Sequence, residues 1–329
     1  MTTTTSSLKS FRPIHGFQNI QIVDTEEQQH QGIDDTSHWK WYCPPGVDSQ
    51  EKIGAVGGGS NDNSNYSNDP SKLGWWKLVG NDGETSAEET KSSSLHIAPP
   101  AKRDFWRKTY YEQLLVKDDG PFLYTVLSFD QLPATIETSF TITNPQSQFD
   151  QAGIIIRYDH EHWIKTGIEV VDNIPRLSCV VTNGFSDWST QPWTTSPSSS
   201  EGDSSRVATE QRSDSTTVEP KLRLRVHLLP QHGGSFVVEA APLNLDDGGA
   251  TNSTSDWSLV RICHMNPNMN HTLLNNHETV RNAYQGISAP SNSIMVGVFA
   301  ACPIDQDGSC VTKFHDISVT PGSSFVHTA

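Results

Sequence analysis

The sequence predicts an all-β protein, a sandwich or barrel of many short strands. Three observations predict it. From Phe122 onward, strand-like runs follow one another with turn residues between them. Within those runs apolar and polar side chains alternate with a period of two, and no intervening segment keeps a 3.6-residue apolar period over three turns. Many short strands without helices leave a sandwich or a barrel as the way to bury the apolar faces.

The elements follow in chain order. Residues 1–35 are polar apart from the stretch near Phe11 to Ile22, which predicts a disordered or loosely attached arm. Trp39-Lys40-Trp41-Tyr42 reads as a first strand, stopped by Pro44-Pro45. Structure resumes at Trp75-Trp76-Lys77-Leu78-Val79. The predicted strands are then 122–129, 134–143, 149–158, 162–171, 175–182, 221–229, 235–241, 256–263, 294–301 and 311–319. Between these, low-complexity insertions fall near 57–70, 194–219 and 243–255, with a further excursion at 265–293. Loop closure costs little extra as a loop lengthens, so one sandwich over 36–322 accommodates all four.

Composition narrows the partners. The 329 residues carry a formal charge of −15, which repels nucleic-acid phosphates and anionic lipid headgroups. No apolar run is long enough to span a membrane, and Met1 to Ser7 has neither a basic nor an apolar leader region, so the expected address is the cytoplasm. Five cysteines, Cys43, Cys179, Cys263, Cys302 and Cys310, form no C-x-x-C pair and suit reduced thiols. Cys302 and Cys310 could meet across a hairpin end, or stand as an ordinary reduced pair. Asn-x-Ser/Thr triplets at Asn65, Asn252 and Asn270 sit in Asn/Ser-rich loops and read as chance.

Motifs for nucleotide, dinucleotide, nucleophile-elbow or zinc-protease chemistry are absent, so no catalytic residue, metal ligand set or cofactor is assigned. His160-Glu161-His162 could place two imidazoles on one strand face, but its polar surroundings favour a hairpin tip.

The informative stretch is 149–189. Splitting each strand by alternation gives an apolar face (Ala152, Ile154, Ile156; Ile164, Ile168, Val170; Leu177, Cys179, Val181) and a polar one. Short connections make the three strands antiparallel neighbours, so the polar faces merge. The merged surface carries Gln151, Arg157, Trp163, Lys165, Glu169, Arg176, Ser178 and Thr182, with Gly153 and Gly167 leaving room. It reads as a candidate site for a polar or anionic ligand, or as an ordinary solvated sheet face with cross-strand ion pairs. Asp150, Asn183, Ser186, Asp187 and Trp188 would form its rim, where Phe185, Trp188 and Trp193 could stack on sugar rings or plug the sandwich edge.

Ala98-Pro99-Pro100-Ala101-Lys102-Arg103-Asp104-Phe105-Trp106-Arg107-Lys108-Thr109, Phe149 to Ile154, Trp163 to Glu169, Pro175 to Ser178 and Thr182 to Trp188, in that order, resemble the jelly-roll family that includes the fungal "regulation of enolase" protein. The resemblance implies a concanavalin-A-like lectin/glucanase fold of two antiparallel sheets, and makes the polar face its concave surface. It supplies no activity, and its named member is associated with control of a glycolytic enzyme. The first functional reading is a non-enzymatic cytosolic regulatory or binding protein acting through that face. The partner would be a protein, such as a glycolytic enzyme, or a small polar or anionic sugar-derived ligand. Sugar phosphates would suit Arg157, Lys165 and Arg176. The alternatives are a carbohydrate-binding module and a glycoside-active enzyme. Against the enzyme, Glu169 and Asp172 lie on opposite strand faces and no second acid joins Glu169 on the derived face, although Asp150 or Asp187 could reach in from a strand end.

Overall fold

A computed structural model describes residues 11–17, 20–22, 39–42, 75–80, 93–145, 147–193, 219–229, 234–243, 257–267, 286–304 and 310–326. The insertions near 57–70, 194–219 and 243–255, most of 265–293, Cys43 and the three Asn-x-Ser/Thr triplets lie outside those residues.

Two sheets carry the fold. The first has the order β16 (Ser258–His264), β15 (Ser235–Pro242), β14 (Lys221–Leu229), β9 (Ala134–Thr143), β18 (Val311–Pro321), β5 (Ser93–Ile97) and β4 (Trp76–Gly80), with β1 (Ile14–His15) also paired to β18. The second has the order β13 (Phe185–Pro192), β12 (Ile174–Asn183), β11 (His162–Val171), β10 (Gln151–Arg157), β17 (Ser293–Ala301), β8 (Phe122–Ser128), β3 (Trp39–Tyr42) and β2 (Ile20–Ile22). Among the described strands every ladder is antiparallel except β2 with β3. A separate hairpin, β6 (Phe105–Arg107) with β7 (Val116–Asp118), belongs to neither sheet. This is a concanavalin-A-like jelly-roll sandwich.

Alternation sets the core. Ala152, Ile154, Ile156, Ile164, Ile168 and Val181 of the second sheet pack against Leu222, Leu224, Val226, Phe140 and Ile317 of the first, all buried. Trp41 closes one flank, its ring centroid 4.8 Å from Trp75 and 5.1 Å from Trp76. Burying such rings contributes about 1.5–3 kcal/mol or more each relative to exposure.

The N-terminal arm needs correction. Within 11–17 the chain is tied down: β1 extends the first sheet, Phe17 is in the core, and Trp39 Nε1 donates to Gly16 O at 2.9 Å. β2 adds a parallel strand to the second sheet. Isolated apolar residues in a polar context hide this attachment from a periodicity reading. The predicted strands from Phe122 onward are present with ends shifted by at most two residues. Sequence reasoning missed β5, β6, β7 and β13.

The glycines also have a different reason from the one expected. Gly153 and Gly167 face each other across β10 and β11, and a Cβ on either would fall 1.9 Å or 2.0 Å from a backbone carbonyl oxygen of the neighbouring strand. The close ladder itself requires them, independently of any ligand.

Candidate functional site: the outer face of the second sheet

The register of β10, β11 and β12 gathers the polar residues on the face turned away from the main core. Gln151 lies opposite Glu169, Arg157 opposite Trp163, Glu169 opposite Arg176, and Trp163 opposite Thr182. That face is not solvated. The β6–β7 hairpin lies across it, and a second cluster of buried side chains fills the space: Phe105 from the hairpin with Tyr42, Phe122, Tyr124, Ile155, Trp163, Val180, Met295 and Phe299 from the sheet. Phe105 is the centre, with ring centroids 5.9 Å from Phe122 and 6.0 Å from both Trp163 and Phe299.

Ion pairs fasten the hairpin. Arg157 Nη1 and Nη2 donate to Asp118 Oδ1 and Oδ2 at 2.5 and 2.7 Å, a bidentate pair with side-chain exposures of 0% and 2%. Arg157 Nε donates to Ile287 O at 2.7 Å, and Gly286 N donates to Asp118 Oδ2 at 2.6 Å. Gly286 sits so close that a Cβ there would be 2.6 Å from Asp118 Oδ2 and 2.8 Å from Arg157 Nη2. On the other side Arg107 pairs with Glu161 and donates through Nε to Gly184 O at 3.1 Å, while its backbone N–H donates to Ser186 Oγ at 2.9 Å.

The predicted residues therefore divide. Arg157, Trp163 and Thr182 share the face, but all three are fully buried beneath the hairpin, and Ser186 is buried with them. Arg157 is thus no phosphate anchor: its guanidinium is already spent on Asp118. Asp150 turns into the core and does not reach the rim. Asn183 Nδ2 donates to His264 O and its Oδ1 accepts from Asn266 N, so it fixes a loop. Asp187 pairs with Arg261 at 2.7 Å on the other side of β13. Glu161 and His162 are absorbed by Arg107 and by Asp159, the latter 2.9 Å from His162 Nδ1, so the turn is a hairpin tip.

The remaining residues meet beside the start of β6, around Asp104. Lys165 Nζ donates to Asp104 Oδ1 at 2.8 Å, and Gln151 Nε2 donates to the same oxygen at 3.2 Å. Ser178 Oγ donates to Glu169 Oε2 at 2.5 Å, and Trp188 Nε1 donates to it at 3.0 Å. Arg176 stands beside Glu169 and makes no ion pair among the described residues. Burial pushes the Glu169 carboxyl above the usual range, and Lys165 and the two hydrogen bonds offset only part of that. Burial, then the carboxylates of Asp104 and Glu169, raise the Tyr111 hydroxyl. A second acid does join Glu169: it comes from the hairpin's approach, not from the sheet.

Aromatic rings wall this polar floor. Trp106 meets Trp188 edge-on at 6.4 Å and Tyr111 at 6.2 Å, while Phe149 meets Trp188 at 6.3 Å. Trp188 and Tyr111 are 37% and 38% exposed, so their rings are open to solvent above buried polar groups. Tyr110 and Phe149 hold φ values of +80° and +68°, strained for bulky side chains. Strain of this kind collects where a site over-determines the backbone. Sequence reasoning missed Asp104, Trp106, Tyr111 and Asp118. The first two lie inside the Ala98–Thr109 motif, which was the available signal.

The chain matches the family described as "Protein of unknown function (DUF1349)" over residues 82–322, and it belongs to that family. It is 39% identical over 100 residues to "Regulation of enolase protein 1" of Saccharomyces cerevisiae, a stretch covering 30% of this chain and 48% of that protein. It is 28% identical over 109 residues to "Uncharacterized protein AN7484" of Emericella nidulans, covering 32% and 52%. The chain thus spans about half the length of the curated relatives it matches. Among solved structures, a functionally unknown protein from Saccharomyces cerevisiae aligns at 23% identity and a TM-score of 0.47, covering 76% of this chain and 98% of that one.

Proposed function

We propose that the protein binds an uncharged carbohydrate in the hollow between the hairpin and β10–β13, and acts through that binding as a regulator rather than by turnover. One observation carries the reading: the buried polar floor of Gln151, Lys165, Glu169, Ser178 and Asp104 lies beneath the half-exposed rings of Trp188, Tyr111 and Trp106. Carboxyl, amide and ammonium groups side by side can donate to and accept from neighbouring hydroxyls, while aromatic faces cover the C–H faces of a pyranose ring. The ligand is neutral because two of the three cations expected to hold a phosphate are taken, and the third, Arg176, stands opposite Glu169. Arg157 is paired with Asp118 and Lys165 with Asp104, and a phosphate would enter beside two carboxyl groups.

The name of the yeast relative supports a regulatory role, with a cytoplasmic glycolytic enzyme as the protein partner. The test has two arms. Calorimetric titration with glucose, mannose, galactose and their 6-phosphates is expected to show a neutral sugar bound, and Trp188→Ala is expected to weaken it by about tenfold, equivalent to about 1.4 kcal/mol. Tighter binding of the 6-phosphates, or an unchanged Trp188→Ala, would sink the neutral-sugar reading. In the second arm, purified protein added to enolase is expected to change its activity in a sugar-dependent way, and no change removes that partner.

The pairing of Asp104 with Glu169 in one hollow favours a second reading, a glycoside-active enzyme. Release of nitrophenol from aryl glycosides, abolished by Glu169→Gln, would establish it.

A further inference from the structure

We propose that Asp150, Cys302 and Cys310 form a site for a thiophilic divalent cation, zinc fitting best, which fastens the two sheets together at one end of the sandwich. The three ligand atoms lie within 4.8 Å of one another, and all three residues are buried. They come from three places in the chain. Asp150 immediately precedes β10 and Cys302 follows β17; because Gln151 pairs with Ala301, these two stand side by side at the end of the second sheet. Cys310 immediately precedes β18 of the first sheet. A cation here would bond across the sandwich.

The donor set argues for a metal. Two thiolates with a carboxylate match the S and O ligands of zinc, whose donors at about 2.0–2.3 Å stand about 3.3–3.8 Å apart in a tetrahedron. Charge balance is favourable as well. With both thiols protonated and the carboxylate ionised, the empty site carries −1. Binding one divalent cation releases two protons to solvent and leaves the total at −1, so no further charge is buried. The hydrogen bond with Cys310, burial and the Asp150 carboxylate all raise the Cys302 thiol. Without a cation the Cys302 sulfur is therefore held as the poorly nucleophilic thiol.

Cys179 on β12 and Cys263 on β16 provide an internal comparison. They too face each other between the sheets, but the Arg261 guanidinium stands beside them, and among the described residues no third metal-binding donor converges on them. Of these two cysteine pairs bridging the sandwich, the Cys302–Cys310 pair has the chemistry of a metal centre.

The test uses the full chain, stripped with a strong chelator under reducing conditions and titrated with cobalt(II), then with zinc. One equivalent of cobalt is expected to bind with a thiolate-to-metal charge-transfer absorption, zinc is expected to bleach it, and saturating zinc is expected to raise Tm by about 5 °C or more. Cys310→Ser and Asp150→Asn are expected to lose the absorption or weaken cobalt binding by at least tenfold, while Cys179→Ser keeps the wild-type spectrum. Wild-type protein that takes up no cobalt overturns the proposal whatever the variants do. So does a spectrum abolished by Cys179→Ser and spared by Cys310→Ser. An intramolecular Cys302–Cys310 disulfide forming on air oxidation equally fast with and without zinc, read as a two-dalton mass loss, also overturns it.

Discussion

Asp118→Asn isolates what the hairpin's anchor contributes. Asparagine keeps the shape and an acceptor for Gly286 N–H, but it removes the negative charge from a pair that is 0% and 2% exposed. Arg157 would keep one hydrogen bond to Ile287 O and hold an otherwise uncompensated buried charge. Removing one partner of such a pair costs about 3–5 kcal/mol, against a total stability of about 5–15 kcal/mol. Replacing both residues, as Arg157→Met with Asp118→Leu, removes the charges together and is expected to stay within about 1–2 kcal/mol of wild type. Urea denaturation followed by tryptophan emission gives the cost of Asp118→Asn and, from Arg157→Met, Asp118→Leu and the two together, a double-mutant cycle. A coupling of at least about 2 kcal/mol is expected, because the groups touch. Asp118→Asn costing under about 1 kcal/mol, or a double variant as damaged as the sum of the singles, would refute the idea that desolvated charge holds the hairpin down.

Other outcomes follow from the same geometry. Gly153→Ala would drive a methyl group to 1.9 Å from Thr166 O and is expected to cost at least about 3 kcal/mol or prevent folding, read by thermal denaturation. Glu169 holds its proton more tightly when folded than an ordinary glutamate, so its contribution favours the native state at low pH and is lost as pH rises through the folded value; Glu169→Gln is expected to stabilise more at pH 8 than at pH 4. Burial, then Lys313 and Lys77, push His96 down to about 4, so the unfolded chain takes up a proton between 6.5 and about 4 that the native one refuses. Stability falls as pH drops through that window, and His96→Gln is expected to remove about 1 kcal/mol of the fall, a value discounted for the group's partial exposure.

How far the sequence foretold this molecule depends on the range of the interactions. Period-two alternation between Gln151 and Asn183 identified three strands and the residues sharing a face, because each side chain's direction is set locally by its own strand. What covers that face was illegible. Arg157 and Asp118 are 39 residues apart, and Lys165 and Asp104 are 61 apart. Strands of three residues such as β6 and β7 are too short to show any period. β13 escaped for a different reason: as an edge strand it is mostly exposed, so neither side selects apolar residues, and its two rings, Phe185 and Trp188, were read as rim without their strand. The third donor beside Cys302 and Cys310 lies about 150 positions upstream, where no spacing rule looks.

The hairpin over the second sheet separates two jobs that a bare sheet would have to combine. Floor residues sit in ladders where a change of backbone is punished at once, as the carbonyl contacts around Gly153 and Gly167 require. Residues 104–111 are held by the side-chain contacts of Asp104, Phe105 and Arg107 and by the short ladder with β7, and belong to neither of the two large sheets. A few substitutions there would recut the walls of the hollow while leaving every strand in place, so what this scaffold recognises can diverge among descendants that still fold identically.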